Sequence, residues 1–211
     1  MIRTTVLAVF LAASFPAFAT EQAKAKPDLA KAKEIAEGVC VACHGADGNS
    51  PAAANPILAG QISEYLYKQL SNFKAADGKP AVRNNAIMGG MVAALSDEDM
   101  RNLAAYFSQQ KMKPSLAKEE KLLAEGKTLW RMGDFEMGTP ACAGCHGPAG
   151  AGLPVQYPRL AGQYAEYTAS QLKTFRSHER ANDSEKVMRT IAGKLSDHQI
   201  AAVAEYAAGL R

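Results

Sequence analysis

Six residues carry the chemistry legible in this chain. Cys40-Val41-Ala42-Cys43-His44 and Cys142-Ala143-Gly144-Cys145-His146 are two copies of C-x-x-C-H, the attachment pattern of a c-type haem. The spacing dictates the chemistry. Two thiols one helical turn apart can each add across a haem vinyl group, and the adjacent imidazole then lies under the ring, where it can bind iron. Both copies run into glycine, at Gly45 and Gly147, and no cysteine is left over. Cys40, Cys43, Cys142 and Cys145 are thus candidate thioether positions for two covalently bound haem c groups, with His44 and His146 as candidate iron ligands. Two other readings of paired C-x-x-C motifs stand beside this one: a zinc ribbon and a pair of redox dithiols.

A second protein ligand on the far side of each iron suits electron transfer, and methionine is a common choice because its thioether raises the potential. By default a methionine fills gaps in a core, so each of the eight needs an argument. Met188 lies eight residues before Ser196, and Met88 lies eight before Ser96. The repeat selects this pair, with Met91, five residues before Ser96, as the fallback in the first half. His178 and His198 have no counterparts in the first half and are expected at the surface. Pro56 and Pro158 follow the two motifs at equal distance. Each is either a plain turn residue or part of a turn whose backbone carbonyl orients the haem histidine. Tyr65, Tyr167 and the paired Phe73 and Phe175 read equally as haem-pocket walls or ordinary core.

The elements that position these residues also come in two copies. A shift of 102 positions lays Cys40, His44, Pro56 and Leu58-Ala59-Gly60-Gln61 on Cys142, His146, Pro158 and Leu160-Ala161-Gly162-Gln163. It also lays Tyr65, Gln69 and Phe73 on Tyr167, Gln171 and Phe175; near the ends the shift becomes 100, and Leu95-Ser96-Asp97 falls on Leu195-Ser196-Asp197. The chain is a tandem duplication. Periodicity and caps predict helices over residues 28–38, 61–76 and 96–110, then over 116–130, 163–177 and 197–209, with Ser196 and Gln199 forming a capping box. Residues 77–95 read as loop, and 131–140 as an extra loop ahead of the second motif. No segment alternates with period two. The fold class expected is all-α, as two tandem domains, 20–113 and 114–211.

Residues 1–19 show a basic start, a short apolar run and Ala17-Phe18-Ala19, the pattern of a cleaved signal peptide. Export agrees with haem attachment outside the cytoplasm and predicts a periplasmic protein. The formal net charge of +3 is spread almost evenly over both halves. That excludes the basic footprint of a nucleic-acid binder and offers no basic run for a membrane surface.

On the two C-x-x-C-H motifs, the run Cys43-His44-Gly45 into Asp47-Gly48-Asn49-Ser50, the two Leu-Ala-Gly-Gln strings and the matched Met-to-Leu-Ser-Asp spacing, the chain resembles the dihaem cytochrome c4 family. The resemblance covers the chain beyond the signal segment. It implies two class I cytochrome c domains packed face to face, with ligation by His44 and Met88 and by His146 and Met188. It also implies that Pro56 and Pro158 orient the haem histidines. The implied role is periplasmic transfer of single electrons from a bc-type complex to a terminal oxidase, with peripheral membrane association in some members. Two rival functions remain at this point: a dihaem peroxidase-like enzyme with one open haem site, and an electron-transfer subunit of a periplasmic dehydrogenase.

Overall fold

A computed structural model describes residues 26–76 and 78–211; the proposed signal segment, 1–19, lies outside them. Among the described residues the only regular structure is helical, with three isolated bridging pairs in loops. The first module comprises α1 (Leu29–Ile35), α2 (Val41–His44), α3 (Ser63–Phe73), α4 (Ala86–Val92) and α5 (Asp97–Ser108). The second repeats the order as α6 (Leu123–Met132), α7 (Ala143–His146), α8 (Ala165–Arg176), α9 (Val187–Ala192) and α10 (Asp197–Gly209).

Each module is built on its last helix. In module one α1 and α3 pack on α5, and in module two α6 and α8 pack on α10. The apolar stripe of α5 supplies Met100, Leu103, Ala104 and Phe107 to a core completed by Ala32, Ala36, Leu66, Phe73 and Val92. In module two Leu129 and Trp130 of α6 meet Val203 and Ala207 of α10. The small residue Gly126 lets those helices close: a Cβ there would sit 2.1 Å from the Ala202 carbonyl oxygen.

Caps fix where these helices start. The Asp28 side chain accepts from the Lys31 amide at 3.0 Å. Ser96 with Asp99 and Ser196 with Gln199 both form complete capping boxes, which satisfy amide donors at the open ends of α5 and α10.

The structure corrects the expected loop over 77–95. It contains α4, started by Asn85, whose side chain accepts from the Met88 amide at 2.9 Å. The corresponding stretch holds α9. Gly89-Gly90 and a length of only seven residues hide α4 from a periodicity reading, because a helix this short is stabilised by packing rather than by propensity. A second departure follows α1. Residues Ala36–Cys40 form one π-helical turn that runs directly into the first haem motif. In module two the extra loop takes that place. It is closed by the Asp134 and Thr139 backbone pair at 2.8 Å in both directions.

The connector is bonded to both modules. The Lys113 amide donates to Asn49 Oδ1 at 2.6 Å, whereas the Ser115 amide donates to the Gly162 carbonyl at 2.8 Å.

Candidate haem sites

Both C-x-x-C-H motifs end in a short helix closed by a glycine, entered from the π-helical turn at Cys40 in the first module and from Cys142 as N-cap in the second. Gly45 and Gly147 adopt φ of 73° and 80°, which turns the chain sharply after each histidine at little steric cost. The following loop then folds back. The Gly48 carbonyl accepts from the Leu58 and Ala59 amides at 2.7 and 3.1 Å, and the Gly150 carbonyl accepts from Leu160 and Ala161 at 2.9 and 3.0 Å. The Gly60 and Gly162 amides anchor the same segments to the last helices, on Phe107 and Ala207.

This fold-back brings each proline to its histidine. His44 Nδ1 lies 3.0 Å from the Pro56 carbonyl oxygen, and His146 Nδ1 lies 2.9 Å from that of Pro158. A carbonyl only accepts, so Nδ1 carries the proton and Nε2 is left with its lone pair, the form that binds a metal. Burial lowers both imidazole pKa values, against the opposing pull of the proline carbonyls, so both rings are neutral near pH 7.

The thiols bear on the competing readings of the motif. Burial pushes Cys40 and Cys142 up to about 11, so neither is a ready thiolate. Among the described residues no three His, Cys, Asp or Glu side chains converge on a metal, so the two Cys pairs do not make a zinc ribbon. What remains is one imidazole and two thiols on one turn beside an apolar cluster. Cys40, Leu58, Leu70 and Met88 pack against the core of module one, and Cys142, Leu160 and Leu172 against that of module two. This donor set fits haem c.

Met88 is half-buried on α4, while Met91 is 47% exposed. Met188 is half-buried on α9, the helix whose Arg189 donates from backbone and side chain to the Asp183 carboxylate at 2.9 and 2.7 Å. His178 and His198 are exposed, and His198 Nε2 lies 2.9 Å from Glu125.

The hydroxyls of the paired tyrosines join a polar network between the modules. Gln69 Oε1 accepts from Arg83 at 2.7 Å, Arg180 at 3.1 Å and Asn182 at 3.0 Å. Gln171 Oε1 accepts from Arg83 at 2.6 Å and Arg180 at 2.8 Å. Arg180 also donates to the Tyr65 hydroxyl at 3.0 Å, and Arg83 to that of Tyr167 at 3.3 Å. The two guanidinium groups lie over Phe73 and Phe175, 4.5 and 4.4 Å from the ring centres. Burial alone would raise the Tyr65 pKa, but the Arg180 and Arg83 charges outweigh it and lower it.

Among the described residues neither buried guanidinium has a carboxylate as a hydrogen-bond partner. Two cations sharing neutral acceptors in this way are costly to bury even with the Asp183 charge acting on Arg180, and the imbalance suits a cofactor that brings carboxylates of its own. Arg83 and Arg180 escaped the sequence reading, which aligned the halves at a different shift here. The available signal was Gln69 and Gln171, duplicated polar residues on an otherwise apolar stripe.

The comparisons agree with this geometry. The family model described as Cytochrome c matches residues 29–111 and 123–210. Cytochrome c4 of Pseudomonas aeruginosa is 47% identical over 183 residues, 86% of this chain and 88% of that protein. The thiosulfate dehydrogenase electron acceptor of Thiomonas intermedia is 39% identical over 210 residues, 98% of this chain and 91% of that one. The crystal structure of reduced cytochrome c4 from Pseudomonas stutzeri superposes with a TM-score of 0.81 at 42% identity, covering 88% of this chain and 100% of that one. The chain belongs to the cytochrome c family, among its dihaem cytochromes c4: an electron carrier with a covalently bound haem c in each module.

Proposed function

We propose that His44 with Met88 and His146 with Met188 are the axial pairs, that Cys40, Cys43, Cys142 and Cys145 form the thioethers, and that the Pro56 and Pro158 carbonyls orient the histidines. The observation that carries this is the duplication of each part. Both histidines hydrogen-bond a proline carbonyl twelve residues on, and each half-buried methionine lies on a short helix eight residues before a capping serine. Bound in each module, haem c supplies an iron that takes up and releases one electron.

The residues do the rest. An imidazole fixed through Nδ1 presents Nε2 in one orientation, so it does not reorganise when the iron changes charge. The Met88 and Met188 thioethers would favour the reduced iron, and an iron held by a histidine and a methionine would leave no place for a small molecule to bind. The apolar clusters keep water from the site, and the interface holds the two modules at fixed separation.

The finer reading is a periplasmic carrier, exported by residues 1–19 and divided at 113/114, that takes electrons from a bc-type complex and delivers them to a terminal oxidase. The near-even charge suits brief docking through a small interface. Among the described residues no helix is long and apolar enough to cross a membrane, and the reading includes peripheral membrane association. The Thiomonas relative favours a second reading, in which the donor is a periplasmic dehydrogenase. Stopped-flow mixing separates the two. Rapid reduction by a purified bc-type complex followed by rapid oxidation by a terminal oxidase supports the first. Rapid reduction by thiosulfate dehydrogenase with thiosulfate, and none by the bc-type complex, replaces it with the second.

A further inference from the structure

Two glutamines cross the interface and end on the peptides that hold the haem histidines. The peptide between Pro56 and Ile57 is engaged at both ends: its carbonyl accepts from His44 Nδ1 at 3.0 Å, and its N–H donates to Gln163 Oε1 of module two, also at 3.0 Å. Gln163 Nε2 donates to the Ile57 carbonyl at 2.9 Å, so the amide grips the backbone at two points. Module two mirrors this. The peptide between Pro158 and Arg159 accepts from His146 at 2.9 Å and donates to Gln61 Oε1 of module one at 2.9 Å, while Gln61 Nε2 donates to the Arg159 carbonyl at 2.9 Å.

Both glutamines are buried, and each amide is held the right way round. The oxygen also accepts from the next backbone amide, Ile62 at 2.9 Å or Tyr164 at 3.0 Å. An amide group conducts polarisation along its N–C=O resonance. Accepting a hydrogen bond from the N–H makes the carbonyl oxygen more negative, and chains of hydrogen bonds strengthen one another in this way. The strengthened carbonyl draws harder on Nδ1–H, which makes Nε2 a better donor to iron and favours the oxidised state.

We infer that Gln61 and Gln163 are positioning residues acting across the interface, each tuning the haem histidine of the other module through one shared peptide group. This rests on the assignment of His44 and His146 as iron ligands. It makes each potential depend on contact with the opposite module, and the dependence runs crosswise: Gln163 acts on His44, and Gln61 on His146.

The test is NMR of the imidazole Nδ1–H protons in the reduced full-length haem protein, with redox titration of both haems. Q163M replaces the amide by a side chain of similar length without its hydrogen bonds. We expect the His44 Nδ1–H signal to move upfield and the potential of haem one to rise, with His146 and haem two nearly unmoved. The shift expected is at most about tenfold in the reduction equilibrium, about 59 mV for one electron. Q61M should give the same result at His146 and haem two. Q163E keeps an acceptor oxygen and should return the His44 signal to, or downfield of, its original position.

Equal movement at both histidines, movement only in the variant's own module, or no movement overturns the inference. If the unsubstituted protein shows no haem ring-current shift on the His44 and His146 rings, the ligand assignment itself fails and takes this inference with it.

Discussion

The cap of α5 carries a charge that the cap of α10 lacks, and Asp99→Asn isolates it. Asp99 accepts from the Ser96 backbone at 3.0 Å and hydroxyl at 2.6 Å, and pairs with Lys31 at 2.6 Å. These contacts, the Lys31 hydrogen bond first, hold its carboxyl at about 2, against an ordinary 3.8. At about 1.4 kcal/mol per pH unit the difference bounds the contribution at about 2–3 kcal/mol. Lys31 is half exposed, and solvent screening reduces the figure to about 1–2 kcal/mol. Folding lowers this pKa, so the contribution is fully present above about pH 4 and is lost as pH falls through about 2. Asn keeps the shape and one acceptor oxygen but drops the ion pair. At pH 7 Asp99→Asn should therefore lower the melting temperature of module one by about 4–16 °C, at roughly 4–8 °C per kcal/mol for a domain this size.

The chain contains its own control. Gln199 fills the same capping position in module two with a neutral amide, and Trp130, the single tryptophan, is buried there 6.4 Å from the His146 ring. Far-UV circular dichroism follows both modules, and tryptophan fluorescence follows only the second. The gap between the original protein and the variant should appear in the first module, shrink between pH 4 and pH 2, and be absent from the fluorescence transition. A gap constant with pH, or an equal loss in the fluorescence transition, would refute the assignment of that stability to the charged cap.

Other outcomes follow from the same structure. Gly126→Ala puts a methyl 2.1 Å from the Ala202 carbonyl and should destabilise module two by about 1–3 kcal/mol despite the better helix former; Trp130 fluorescence on heating checks this. Met88→Leu should open one haem of the reduced protein to carbon monoxide, whereas Met91→Leu should not, because Met91 is the more exposed of the two; difference spectra decide. Leu103→Ala, which truncates a side chain 1% exposed in the core of module one, should cost about 2–5 kcal/mol, read by circular dichroism with the fluorescence transition unmoved.

The haem motifs, the duplication and the long helices were legible because each has a local signature. C-x-x-C-H is contiguous, and α5 and α10 begin at serine caps, α5 with a strong apolar stripe and α10 apolar on nearly every side. The helix α4 was missed because Gly89-Gly90 argues against a helix and only packing restores it. The histidine–proline contacts were anticipated as one of two readings, since the proline spacing is visible but the fold-back that closes 3.0 Å is not. The interface was largely illegible. Gln61 and Gln163 stood out only as members of a repeated string. Their partners lie in the other module, 98 and 106 residues away, and no local pattern encodes a contact at that distance.

The most direct test of the account is the visible spectrum of the reduced protein, with its haem content, before and after carbon monoxide. Two covalently bound haem c per chain and a spectrum that carbon monoxide leaves unchanged are the predicted result, because both irons keep a histidine and a methionine. A spectrum partly shifted by carbon monoxide would contradict it, and would mean that at least one iron has an open site and that the chain is built for more than carrying electrons.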